Sequence, residues 1–233
     1  MLQNIQGLYG DRLAASDGEI GRVKDFYYDD LAWVIRYVVV DTGTWLSHRQ
    51  VLLSPHGFGQ WDREGHSLPI RLTRKQVEDS PSIDAHRPVN RQDERDYYQH
   101  YGWPAYWKGG GMWGIAGFPV VDSSPTKRQA THHGHNQRDD LHLRSTKALL
   151  GYKIQAADGV IGRVQSVMVD DKSWAVAELV VETGHWYAGK EILVRSGKIE
   201  RVSYEEATVF VNLSKAEIEQ TANDSVVQVA PEL

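Results

Sequence analysis

Apolar and polar positions along this chain alternate in short runs, and the runs come in two matching sets. In the second half, Val167 and Val169 share one face and Ser166 and Met168 the other, the period of two that marks a strand. Phe26 and Tyr28 stand at the corresponding places in the first half. The next runs, Val34–Val40 and Ala175–Val181, are dense in β-branched residues and predict strands buried on both faces. Short strands are predicted around Val51–Leu53 and Ile192–Val194, then near Ser67–Leu72 and Thr208–Leu213. Turn residues separate these runs: Asp17-Gly18 and Asp158-Gly159, Asp29-Asp30 and Asp170-Asp171, Thr42-Gly43 and Thr183-Gly184. Gly21 and Gly162 each fall just before a strand. Thr73 with Gln76, and Ser214 with Glu217, make capping boxes that open a short helix at the end of each set; Pro81 stops the first.

The two sets are a repeat. At an offset of 141 residues, Gly10–Ser54 and Gly151–Arg195 align without a gap and share 17 identities in 45 positions. The register holds to the end of the unit, where LTRKQVED at Leu72 meets LSKAEIEQ at Leu213. A whole domain is duplicated, because a solenoid unit would be shorter and contiguous. The division is a first repeat at 1–80, a connecting segment at 81–140, a second repeat at 141–221 and a tail at 222–233. Several short strands in about 70 residues favour a small barrel or sandwich.

The segments DGEIGRV (Asp17–Val23) and DGVIGRV (Asp158–Val164), the Asp-Asp turn, the β-branched strand and Thr-Gly-x-Trp (Thr42–Trp45, Thr183–Trp186) recur in order, twice. With these features each repeat resembles a PRC-barrel domain. The resemblance implies a mainly β fold: two small β-barrels, each closed by a short helix and joined by an aromatic-rich connection. It implies two settings, the cytoplasmic part of the H subunit of purple bacterial photosynthetic reaction centres and the barrel domain of a ribosome-maturation factor. Stand-alone bacterial members of undefined role also belong to the family. The segment Pro81–Trp107 resembles the linker of tandem stand-alone members. Unlike the H subunit, this chain has no transmembrane helix. Where the maturation factor has a different N-terminal domain, a second copy of the barrel stands here.

Composition narrows the function. The 233 residues contain no cysteine, which excludes disulfides, thiolate nucleophiles and Cys-ligated metal sites. The net charge is −5, and neither repeat nor the connection has the basic excess that phosphate binding demands. No apolar run reaches the roughly 18–20 residues of a membrane helix, and the N-terminus lacks the basic and apolar regions of a signal peptide. The expectation is a cytoplasmic protein that binds no nucleic acid.

The connection carries an aromatic load unlike a disordered linker: Tyr97, Tyr98, Tyr101, Trp103, Tyr106, Trp107, Trp113 and Phe118. Arg91–Asp96 reads as a short helix leading into Tyr97 and Tyr98. Two readings stand: the rings pack onto the barrels, or Tyr97, Tyr98, Tyr101, Trp103, Tyr106 and Trp107 form a docking surface for a protein partner or for a second copy in a twofold dimer. Ser123–Asp140 is polar and reads as a flexible linker.

Candidate chemistry is sparse. His132, His133, His135 and His142 lie in that polar stretch, where adventitious metal binding outweighs a built site. The paired aspartates read as turn formers, since neighbours on a strand point to opposite faces. Arg22 and Arg163 have two readings, a hold on an acidic partner surface or a pairing with a turn Asp in their own barrel, and the second is favoured. Gly109-Gly110-Gly111 lacks the lysine and helix of a phosphate loop, and no nucleophile elbow, dinucleotide fingerprint or zinc-protease helix is present. The expectation is a non-catalytic interaction or assembly module without cofactor or metal, associated peripherally with a photosynthetic or electron-transport membrane complex. An RNA- or ribosome-associated maturation factor is the alternative.

Overall fold

A computed structural model describes residues 1–81, 91–107, 113, 143–184 and 189–220. The first repeat forms β1 (Leu2–Asn4), β2 (Arg12–Ala15), β3 (Gly18–Asp29), β4 (Val34–Asp41), β5 (Gln50–Leu53), β6 (Ser67–Pro69) and helix α1 (Arg74–Glu78). The connection forms helix α2 (Arg91–Tyr101). The second repeat forms β7 (Leu143–Ser145), a single helical turn α3 (Thr146–Leu149), β8 (Lys153–Ala156), β9 (Gly159–Asp170), β10 (Val176–Thr183), β11 (Glu191–Arg195), β12 (Ile199–Ser203) and β13 (Thr208–Val211). A closing helix, α4, spans 215–220.

The protein is mainly β, with one mixed sheet per compact unit. One sheet runs β5-β4-β3-β2-β6, with β2 and β6 parallel; the other runs β11-β10-β9-β8-β13-β12, with β8 and β13 parallel. Both capping boxes form: Gln76 N–H donates to Thr73 Oγ1 at 3.2 Å, and Glu217 N–H donates to Ser214 Oγ at 3.3 Å. The turn reading of Asp29 holds, because its Oδ1 accepts from Leu31 and Ala32 N–H at 3.0 Å each. Four expectations need correction.

A closed barrel is not found among the described residues. Each sheet is an open path, interrupted where a 3-10 turn (Pro55–Gly57, Ser196–Lys198) redirects the chain after β5 or β11. The recurring arginines do not seek a turn Asp. Arg22 donates to Gly10 O at 3.0 Å and Arg163 to Gly151 O at 2.8 Å, so each pins the backbone at the start of its repeat. The β-branched runs are not covered equally: β4 is buried from Val34 to Val40, and in β10 Val180 and Val181, on opposite faces, are buried as expected, whereas Ala177 and Glu178 are only half-buried. The reason is α2, described below.

Fourth, Gly21 and Gly162 lie inside β3 and β9, not before them. A Cβ on Gly21 would sit 2.1 Å from Asp41 O, and one on Gly162 2.1 Å from Glu182 O. Backbone cannot yield as a flexible side chain does, so only glycine fits. Gly21→Ala and Gly162→Ala are each expected to destabilise their own unit by about 1–3 kcal/mol or more. Urea titration with a probe in each unit checks this; unchanged midpoints would refute the close approach.

The compact units differ from the sequence repeats in short exchanged pieces. The unit built on the second repeat includes Met1–Gly7; the unit built on the first includes Leu143, Arg144 and Lys172–Trp174. In strand terms, β1 pairs with β9 (Gln3 opposite Val169) and β7 pairs with β3. At the 141-residue offset β1 and β7 are the same element, so each repeat lends its leading strand to the other's long strand. Trp174, at positive φ in the turn after β9, packs its ring against Phe58 and Trp61 (centroids 5.2 and 6.0 Å), and its carbonyl accepts from Ile35 N–H at 2.8 Å.

Candidate functional site

Among the described residues, the densest set of buried polar groups lies in the unit of the first repeat, where α2 meets the outer face of β4 and β5. Arg36 starts it. It is the extra residue of a β-bulge in β4, between Ile35 (opposite Tyr28) and Tyr37 (opposite Tyr27). Bulges re-aim side chains, and this one carries a guanidinium into the interior. Arg36 Nη2 donates to Asp29 Oδ2 at 3.2 Å, and its Cζ lies 3.9 Å from the Tyr106 ring centroid and 4.8 Å from that of Trp113. Two ring faces and one carboxylate replace the water that a buried cation loses.

Glu94 of α2 is 0% exposed. Tyr37 Oη donates to Glu94 Oε1 at 3.0 Å and Tyr106 Oη donates to the same oxygen at 2.5 Å. A buried carboxylate held by two hydroxyls retains charge-assisted bonds in place of hydration. Ser54, just after β5, is the second anchor. Its N–H donates to Tyr97 Oη at 3.0 Å, and its Oγ lies 3.2 Å from both Tyr98 Oη and His56 Nδ1. His56 is enclosed by rings: Trp103 stacks on it at 5.8 Å, and Tyr98 and Trp113 meet it edge-on at 5.7 and 4.9 Å.

Burial pushes the Tyr37, Tyr97 and Tyr98 hydroxyls upward, so they remain neutral donors; Tyr101 is pushed up to about 12 by the same cause. His56 is pushed down to about 4, first by burial and then by the Arg36 charge. The imidazole is therefore neutral at physiological pH. Its folded pKa lies below the ordinary 6.5, so the unfolded chain binds the proton more readily. The stability it contributes is complete above about 6.5 and is lost as pH falls from there towards about 4. His56→Gln is expected to flatten that part of the stability-versus-pH curve, measured by urea unfolding; an unchanged slope would refute the assignment.

The six aromatic candidates divide. Tyr97, Tyr98 and Tyr106 are buried, and Tyr101, Trp103 and Trp107 are half-buried at the margin. Tyr101 and Trp103 stack at 4.5 Å, and Trp107 meets Tyr98 and Tyr106 edge-on at 5.4 and 5.0 Å. The first unit itself supplies cover for the first three rings. Arg91–Tyr101 is one helix; it contains the expected Arg91–Asp96 with Tyr97 and Tyr98 and continues to Tyr101. His132, His133, His135, His142, Gly109–Gly111, Phe118 and the stretch Ser123–Asp140 lie outside the described residues.

Arg36, Tyr37, Ser54, His56 and Glu94 are absent from the sequence-level candidates. Their signal was divergence between the repeats: the first four align with Ala177, Glu178, Arg195 and Gly197. Each is polar or aromatic, and none has its counterpart's chemistry.

The arrangement is closed. Ser54 and His56 have the residue types of a nucleophile and its base, but Ser54 is 0% exposed and its hydroxyl is bracketed by Tyr98 and His56. Among the described residues no three His, Cys, Asp or Glu side chains converge as a metal site would require. What this cluster does is clamp α2 to the sheet. Compared with known proteins, the chain matches no family model, and the curated proteins hold no sequence similar to it.

Proposed function

We propose that the protein is a non-catalytic interaction and assembly module of tandem PRC-barrel-type repeats, working at the periphery of a photosynthetic or electron-transport membrane complex. The observation that carries this reading is the internal use of the buried titratable side chains. Arg36 donates to Asp29, Glu94 accepts from Tyr37 and Tyr106, and the Ser54 hydroxyl lies between His56 and Tyr98, an arrangement that builds shape instead of reactivity. The strand exchange supports the same reading, since neither repeat completes its sheet from its own sequence. The photosynthetic setting rests on the resemblance of DGEIGRV and DGVIGRV to the H-subunit barrel. Among the described residues no helix is long and apolar enough to cross a membrane, so association with such a complex would be peripheral. The acidic balance opposes the maturation-factor alternative.

Affinity capture from the native host, with membranes solubilised gently, tests the proposal. The expected result is a stoichiometric protein partner from a membrane complex. Recovery of ribosomal particles or RNA instead would overturn it.

A further inference from the structure

The duplication supplies a natural comparison, because one sheet face occurs twice with different fates. In the first repeat the cross-strand pair Val39–Leu52 lies on the outer face, in line with Tyr37 and Ser54. The tyrosines of α2 cover that face: Tyr97 and Tyr98 rings meet Tyr37 at 5.5 and 6.5 Å, and both hydroxyls reach Ser54. Beneath them Leu52 is 3% exposed. The second repeat keeps the same apolar pair, Val180 opposite Leu193. There Val180 is still buried, at 7% exposure, and Leu193 is 48% exposed, so the opening lies over Leu193.

The surroundings of the pair have changed, and the change identifies what would fit. Tyr37 is replaced by Glu178 and Ser54 by Arg195, which stand opposite each other and form an ion pair at 3.9 Å. A helix like α2 would there lose the Ser54 partner of its tyrosines, and its Glu94 would face the carboxylate of Glu178. On the other side of the apolar pair, Glu182 and Glu191 stand directly opposite each other. Like charges in a cross-strand pair are unfavourable. Arg163 stands opposite Glu182 on β9, and its guanidinium donates to Gly151 O at 2.8 Å. The face therefore combines an exposed leucine with the Glu178–Arg195 ion pair on one side and two directly opposed carboxylates, Glu182 and Glu191, on the other. A second copy of this chain is a poor occupant, because apposing two such faces brings these acidic pairs together.

We propose that the outer face of β10 and β11 docks an amphipathic helix of a partner protein, seated as α2 is on the first repeat. Its chemistry is an aromatic or large apolar side chain over Val180–Leu193 and a lysine or arginine where α2 carries Glu94. This deepens the interaction-module reading and rests on it. Seating such a helix covers Leu193, sets a cation near the opposed carboxylates of Glu182 and Glu191 and disfavours acidic helices by the same carboxylates, so that one face supplies both attraction and discrimination.

The test uses the full chain and two labelled peptides of residues 91–107, one wild type and one Glu94→Lys, followed by fluorescence anisotropy. The Glu94→Lys peptide is expected to bind about tenfold more tightly than the wild-type peptide, as reversal of one charge contact implies. Leu193→Glu in the chain should abolish its binding, and Glu178→Lys should reverse the preference between peptides. Leu193 is exposed, so its replacement leaves folding intact. Failure of both peptides to bind, equal binding, or indifference to Leu193→Glu would overturn the proposal. So would hydroxyl-radical footprinting that finds Leu193 protected in the isolated chain, because the chain's own segments would then fill the face. A protein that captures its native partner equally well with and without Leu193→Glu sinks this inference alone. A protein that captures none sinks the interaction reading.

Discussion

Leu52→Asp is expected to unfold the unit of the first repeat, while Leu193→Asp, the same substitution at the same place in the second repeat, leaves melting nearly unchanged. Leu52 lies under α2, and removing it forfeits about 1.5–3 kcal/mol of apolar burial. The carboxylate left there has no cation partner and adds a desolvation cost of several kcal/mol, or takes up a proton to avoid it. A small domain is stable by only about 5–15 kcal/mol, so this loss consumes much of the total. At Leu193 the new charge stands in water, and surface changes stay within about 0.5 kcal/mol. For a unit of this size each kcal/mol moves the melting temperature by about 4–8 °C, so differential calorimetry resolves the contrast easily. Equal shifts in the two variants would show that α2 does not cover the face.

Ile5→Ala is expected to loosen the unit built on the second repeat, not the first. Ile5 is 0% exposed and lies in the leading segment Met1–Gly7, which belongs to that unit. The segment is held there by β1 pairing with β9, and by Ser166 Oγ donating to Asn4 Oδ1. Truncating a buried isoleucine costs about 2–5 kcal/mol, depending on how far the site collapses. Amide hydrogen exchange should accelerate in β9 and β10 and stay unchanged in β3 and β4. The reverse pattern would refute the exchange of leading strands. The result matters for any dissection of the chain: residues 8–80 or 141–221 expressed alone would each lack the strand that the other repeat supplies.

Much of the architecture was legible in the sequence because it follows from local physics. Alternation at Val167 and Val169, β-branched density at Val34–Val40, Asp-Gly turns and the Thr73–Gln76 and Ser214–Glu217 boxes act over a few residues, so each is written where it works. The repeat added a second reading of every element and made the strand order of one unit a check on the other. What acts across the chain was not legible. Gly21 reads as a glycine just before a strand until the Asp41 carbonyl is seen 2.1 Å from where its Cβ would be. Leu2–Asn4 is too short to announce a strand, and its partner β9 lies more than 150 residues away. Arg36 and Glu94 are ordinary charges in the sequence; only the α2 helix laid over β4 and β5 makes them a buried network. The same cause separates Leu52 from Leu193, identical residues in aligned strands. Their pattern determines that both stand on the outer face, and the tertiary cover, present on one copy and not on the other among the described residues, decides which of them is core and which is surface.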